Sequence, residues 1–373
     1  VDVVQSSRNA GDGGVSENCV DKTPLVPVAA GASTRTVITV DFDAPRQTII
    51  GFGSSMTECT SAILQVSSTG PEMYDALFGE DENNYEVMRI TMGSSDFSHT
   101  EGTYADGGSL DSFSIDRDRE YVIPALLAAN TAAGHDVKYL ASPWTAPGWM
   151  KNSGQLMGGQ LLPEHYQTWA DYFVLYLQAY QDAGINVWGL TTQNEAHFGE
   201  MNVREAMSWS AGDNANWVAN NLGPALDTAG FDPMIYVYDH NHGPAGSDAT
   251  QWAQTFYSHA AANWVDGVAV HWYGSSFRTN TDGHDSIHNV DPDKQLFFTE
   301  LNYPRADSPL SYRGWPDRVK QTLTGPPTLL ARHHSQFGDF DVIYAEMSPE
   351  WEGRTFPLSV TAERLVINQL LKN

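Results

Sequence analysis

Beyond residue 34 the chain alternates short runs of β-branched and aromatic residues with longer stretches whose apolar positions recur every three or four residues. The short runs are QTIIGFG (47–53), VMRITMG (87–93), VKYLASP (137–143), VWGLTTQNE (187–195), MIYVYDH (234–240), GVAVHWY (267–273), QLFFTE (295–300) and DVIYAE (341–346). Each predicts a strand. Segments such as LLPEHYQTWADYFVLYLQAYQDAG (161–184) lie between them, with aromatic and aliphatic residues at helical spacing and Gly184 as a stop. This alternation predicts an α/β chain, and both a (β/α)8 TIM barrel and a doubly wound sheet satisfy it. The polar residues separate the two. Asp96, Trp144, Asn194, Glu195, Asp239, His271, Tyr273, Glu300 and Glu346 fall at or just past strand ends. In a barrel those ends converge on one rim, where active sites form, so the pattern predicts a barrel over residues 35–373. Residues 1–34, rich in Gly, Ser, Asn and Ala without apolar periodicity, read as an extended N-terminal arm.

Charge narrows the partners. Twenty Lys and Arg against 46 Asp and Glu give a formal net charge of −26, which repels a nucleic-acid backbone and an anionic membrane surface. The excess reads as a solubility adaptation. No apolar run reaches the length of a membrane span. The opening VDVVQSSRNAGDGGVSENC lacks a signal peptide's basic and apolar regions and reads as the mature end of a secreted, extracellular protein. Cys19 and Cys59 leave a tail-to-barrel disulfide and two unpaired thiols equally open.

Several chemistries drop out. Gly51-Phe52-Gly53 is followed by Met56 where a dinucleotide fingerprint needs its third glycine, and there is no Walker A loop or G-x-S-x-G elbow. DHNH (239–242) and His333-His334 lack the HExxH spacing of a helical zinc site, so neither a metal nor a cofactor is expected. What remains is a pair of carboxylates. Cleaving a glycosidic bond with retention needs one carboxyl to protonate the leaving oxygen and another to attack the anomeric carbon. Glu195 and Glu300 end two different predicted strands that are otherwise uncharged near their ends. Burial at such an apolar rim is expected to raise a carboxyl pKa, as a general acid requires.

The chain resembles glycoside hydrolase family 30, the family of glucosylceramidases, endo-β-1,6-glucanases and certain xylanases. The resemblance runs from about residue 37 to about 300. It rests on QTIIGFGSSMTE (47–58), RITMGSSDFSHTEGTYAD (89–106), LASPWTAPGWMK (140–151), HYQTWADYFVLYLQAY (165–180), TTQNE (191–195), LGPAL (222–226), DGVAVHWYG (266–274) and FFTE (297–300). It implies a retaining β-glycoside hydrolase acting on a β-linked, gluco-configured carbohydrate or glycolipid, with Glu195 as acid/base and Glu300 as nucleophile. It further implies that Asn194 holds the sugar 2-hydroxyl, that Asp96 and Trp144 bind the outer hydroxyls, and that His271 and Tyr273 lie beside Glu300. The family's accompanying β-sandwich is expected to be largely missing, since TRTVITVDF (34–42) resembles its first part and about 27 residues follow the predicted eighth strand. Either the domain is absent, or its role falls to a partner, to self-association or to the N-terminal arm. Ala196 stands where the family has proline, and DVIYAEMSPEWEG (341–353) lacks the family's W-x-x-W-N-like run. These departures motivate the alternative of a barrel kept as a structural or carbohydrate-binding component.

Overall fold

The structure, a computed structural model, describes residues 3–8, 17–22, 50–67, 70–98, 100–197, 204–241, 243, 246–271 and 282–300. Strands β1 (Val3–Arg8) and β2 (Glu17–Lys22) pair antiparallel, from Val3↔Lys22 to Arg8↔Glu17, where the sequence suggested an extended arm. The intervening NAGDGGVS is rich in turn formers, a signal that lack of apolar periodicity hides.

Seven parallel strands then follow one another across a single sheet in strict sequence order. They are β3 (Gly53–Ser55), β4 (Val87–Met92), β5 (Lys138–Pro143), β6 (Val187–Thr191), β7 (Met234–Asn241), β8 (Gly267–His271) and β9 (Gln295–Glu300). In a flat sheet β4 and β9, five positions apart, would be separated by about 24 Å. Yet Arg89 on β4 and Glu300 on β9 meet at 2.7 Å. The sheet has curled round on itself as a barrel wall does. The strand order also lacks the reversal of a doubly wound sheet.

Alternation along each strand fixes what faces the barrel axis. Val87, Leu140, Tyr236, Ala269 and Phe297 form a separate apolar cluster, one residue from each of β4, β5, β7, β8 and β9. Their neighbours Met88, Ala141, Val237, Val268 and Phe298 belong to the large core shared with the helices. Burial on both faces is why the strands read as nearly continuous apolar runs. The helices are α1 (Glu58–Val66), α2 (Gly70–Phe78), α3 (Asp116–Arg119), α4 (Val122–Ala133), α5 (Tyr166–Asp182), α6 (Ala211–Trp217), α7 (Gly223–Ala229), α8 (Ser247–Tyr257) and α9 (Asp282–His288). On α5, Trp169, Phe173, Tyr176, Leu177 and Tyr180 make the buried stripe at helical spacing, and Gly184 turns the chain away at φ 86°. A π-helical turn, Val218–Leu222, joins α6 to α7, where a Cβ on Gly223 would lie 2.2 Å from the Trp264 ring.

Two strand expectations shift. The first strand is Gly53–Ser55 rather than 47–53, with residues 47–49 outside the described set. The run 187–195 stops as a strand at Thr191. Past it, Asn194 N–H donates to Pro143 O on β5 and Glu195 N–H to Asp239 O on β7, and Glu195 has φ 49°. These bonds to both neighbouring strands divert the chain from extended pairing. The predicted eighth strand (341–346), residues 34–42 and Tyr273 lie outside the described residues. Cys59 is free and buried; burial and the Glu58 charge push its thiol up to about 11.

Candidate active site

Two residues above Val87, toward the C-terminal end of β4, the inward position is Arg89, 1% exposed. A guanidinium in a strand buried on both faces needs acceptors for its protons. Its Nε donates to Ser142 Oγ on β5 at 3.1 Å, and its Nη1 to Glu300 Oε2 at 2.7 Å. Its Nη2 reaches Asn194 Oδ1 at 2.7 Å and Asp239 Oδ2 at 2.8 Å. The guanidinium also lies over the Trp144 ring, 4.8 Å from its centroid.

Asp239 is the most enclosed acid here. Counting by two from inward Tyr236 would aim Tyr238 at the axis and Asp239 away from it. A register shift against β8 and positive φ at Tyr238 (78°) and Asp239 (47°) reverse this. Tyr238 joins the outer core, while Asp239 accepts from Arg89, Thr191 Oγ1 (2.7 Å) and Thr299 Oγ1 (2.5 Å). Burial works to raise its pKa, but Arg89, His271 and Thr299 outweigh it and hold the carboxyl well below the usual range.

His271, fully buried at the end of β8, bridges the acids. Its Nε2 is 3.0 Å from Asp239 Oδ1, and its Nδ1 is 3.2 Å from Glu195 Oε1 and 3.7 Å from Glu300 Oε1. Burial lowers its pKa, yet Glu300, Asp239 and Glu195 together raise it to about 10, so the ring is an imidazolium at neutral pH.

Glu195, 4% exposed, has His271 and His240 Nδ1 (3.4 Å) on Oε1 and Arg204 Nη2 on Oε2. The other arm of Arg204 reaches Asp96 Oδ2 at 2.8 Å. The expectation of a raised carboxyl pKa is corrected here. Burial does push it up, but hydrogen bonds from His240 and His271 and the charges of His271 and Arg204 prevail, so Glu195 stands as a carboxylate. At Asp96 the balance goes the other way: burial raises the pKa more than Arg204 lowers it, with Glu300 adding to the rise. Behind Arg204, buried Lys151 donates to Thr145 Oγ1 (2.6 Å) and to the carbonyls of Leu156 (2.7 Å), Gly158 (2.8 Å) and Ala206 (3.1 Å), fixing the segment that carries Arg204.

The sequence-predicted Glu195, Glu300, Asn194, His271, Trp144 and Asp96 are thus brought together around Arg89 and Arg204. Arg89, Asp239, His240 and Arg204 are the members that sequence reasoning did not assign. Arg89 had a visible signal: a lone charge inside VMRITM, in a strand apolar on both sides, has to be paired with acids from other strands. The His240 of DHNH, discounted for its spacing, forms a trio with Glu195 and His271 whose possible ligand atoms lie within 4.8 Å of one another.

Two carboxylates facing one buried imidazole at the C-terminal ends of a curled parallel sheet are the arrangement seen where barrel enzymes cleave glycosides. Comparison with known proteins agrees, since residues 49–357 match the glycosyl hydrolase family 30 TIM-barrel domain. The chain belongs to glycosyl hydrolase family 30. It is 31% identical over 294 residues to putative glucosylceramidase 4 of Caenorhabditis elegans, covering 74% of this chain and 56% of that protein. It is 32% identical over 299 residues to an endo-1,6-β-D-glucanase of Aspergillus fumigatus, covering 74% and 59%. A solved endo-β1,6-glucanase superposes with a TM-score of 0.68 at 29% identity, covering 75% of this chain and 63% of that one. The chain spans 56% and 59% of the length of these two curated relatives.

Proposed function

We propose that the chain is a retaining β-glycosidase acting on a gluco-configured, β-linked substrate, with Glu300 as nucleophile and Glu195 as acid/base. The observation that carries this is the shared nitrogen of His271. With Nδ1 at 3.2 Å from Glu195 Oε1 and 3.7 Å from Glu300 Oε1, those two oxygens are at most about 7 Å apart. Direct attack requires carboxyls ~5–5.5 Å apart, whereas a water-mediated inverting site spans ~6.5–9.5 Å. The bound covers the first range and excludes most of the second.

Arg89 aims Glu300 through the 2.7 Å bond to Oε2, leaving Oε1 toward His271 and the cleft. Asn194, its Oδ1 engaged by Arg89, turns its Nδ2 to the sugar 2-hydroxyl. The indole N–H of buried Trp144 donates to no described protein group and serves an outer hydroxyl beside Asp96. For Glu195 to protonate the leaving oxygen, Arg204 has to withdraw from Oε2. Its withdrawal removes one of the charges that keep the carboxyl ionised, so substrate entry and acid formation are coupled. The glucosylceramidase and endo-1,6-glucanase relatives support a β-glucoside substrate, as glycolipid or as glucan. An extracellular location suits a glucan.

Azide rescue tests the roles. Glu195→Ala should keep glycosylation by a dinitrophenyl β-glucoside, stall at deglycosylation, and with azide give the β-glycosyl azide. Glu300→Ala should lose turnover and with azide give the α-azide. Identical products from both variants, or a wild type inert on every aryl glucoside, would refute the assignment.

A further inference from the structure

Glu195 Oε1 is flanked by two imidazole nitrogens, Nδ1 of His271 at 3.2 Å and Nδ1 of His240 at 3.4 Å. All three side chains are buried, and the ligand atoms lie within 4.8 Å of one another. Two sides, 3.2 and 3.4 Å, are close to the ~3.3 Å ligand–ligand edge of a tetrahedral zinc site with bonds of ~2.0–2.1 Å, and the third, between the two imidazoles, lies within 4.8 Å, which a small rotation of either ring closes. Two imidazoles and one carboxylate are also the donor types that zinc accepts in three-ligand sites with an open fourth position.

The support behind these ligands is already built. His271 has Asp239 on its other nitrogen at 3.0 Å, and Asp239 is itself fixed by Thr191 and Thr299. A carboxylate on the far side of an imidazole fixes the ring's orientation and makes the near nitrogen a better ligand. His240 and His271 stand on adjacent, paired strands, where His240 pairs with Val270 and Asn241 with His271, so their spacing is set by the barrel wall. The acids facing the trio, Asp239, Glu300 and Asp96, compensate a divalent charge beside Arg89 and Arg204.

We propose that Glu195, His240 and His271 form an inhibitory site for a borderline-soft divalent cation of the zinc type. The metal takes the place of the proton between His271 and Glu195, which leaves to solvent, and by holding Oε1 it keeps the carboxylate ionised, so that Oε2 no longer carries a proton to the substrate. Hard cations such as Mg2+ and Ca2+, which take oxygen ligands, are poor occupants. Binding stands on geometry alone, while its inhibitory consequence rests on the acid/base reading of Glu195.

The test uses the whole chain, stripped with chelator and titrated with Zn2+ against a chromophoric competitor, then with Co2+ for its ligand-field spectrum. Expected are one Zn2+ per chain, intense visible bands of four-coordinate Co2+, and chelator-reversible loss of aryl-glucoside turnover. His240→Ala and Glu195→Gln should each weaken Zn2+ binding by at least ~10-fold with an unchanged melting curve. If one variant does not fold, the other carries the comparison. Absence of stoichiometric binding, weak octahedral Co2+ bands, or affinity indifferent to the substitutions would overturn the site. Stoichiometric binding that leaves turnover intact would overturn its inhibitory role. That outcome is distinct from failure of the glycosidase reading, which shows as no turnover in metal-free protein.

Discussion

Replacing Arg204 by methionine keeps most of the side chain's apolar stem and removes the guanidinium from both Glu195 and Asp96. Its charge stabilises the Glu195 carboxylate at hydrogen-bonding range. At an effective dielectric of ~20 and ~4 Å, that attraction is about 4 kcal/mol, equivalent to ~3 pKa units. Arg204 is 21% exposed, so water screens part of this, and the expected rise in the acid/base pKa is between ~1 and ~3 units. The sign follows from the chemistry. On the proposed acid/base role of Glu195, its acid form is needed for glycosylation, and the alkaline limb of kcat/KM reports its pKa in free enzyme. Losing a cation raises that pKa, so the limb moves to higher pH and turnover near neutrality improves for poor leaving groups. The assay is a pH profile of kcat/KM for a phenyl β-glucoside, with the dinitrophenyl substrate as control, because its departure needs no proton. A limb that stays put or moves to lower pH in Arg204→Met, or one that moves equally for both substrates, would refute the reasoning.

Two further outcomes follow from features away from Glu195 and Glu300. Asp118, 4% exposed and accepting from Tyr104 (2.5 Å) and Tyr180 (2.7 Å), has its pKa raised to about 6, chiefly by burial. Its folded value lies above its unfolded one, so the stability tied to the protonated form is complete below about pH 4 and is lost as pH rises through about 6. Asp118→Asn should therefore gain on wild type by up to roughly 3 kcal/mol between pH 4 and 7 in urea melts, and a difference independent of pH would contradict this. Gly223→Ala puts a methyl 2.2 Å from the Trp264 ring at the π-helical turn, and should cost about 1–3 kcal/mol in thermal or denaturant melts. An unchanged melting curve would mean that the ring moves aside freely.

The barrel and the two carboxylates were legible because they depend on local pattern: runs of β-branched residues, helical spacing, and polar residues at strand ends. Asn194, Glu195, His271 and Glu300 all stand at or just past such ends, so the site's outline was visible. Asp239 was visible as a rim residue but not as a buried one, because the bulge at Tyr238–Asp239 breaks the alternation by two that a reader counts with. The electrostatic error at Glu195 has a similar origin. Its own strand is uncharged near that end, but its ionisation is set by His240, His271 and Arg204, which only folding brings to it. Arg204 itself sits in a loop stretch with no periodicity to mark it.

The Arg89–Glu300 contact joins residues 211 positions apart, and Asp239 is held by partners from β4, β6, β8 and β9. A contact of that sequence separation carries a large loop-closure entropy and belongs to the slow, non-local stage of folding. Helices and individual strand pairs form without it. A refolding chain is therefore expected to recover its helical signal before the Arg89–Glu300 contact, which needs β4 and β9 to come together. Until then Arg89 is a charge in an apolar strand without its acids, and the penalty for burying it there disfavours compact states in which the sheet has closed in the wrong order. On this argument the residue at the centre of the candidate site is also tied to the topology of the sheet.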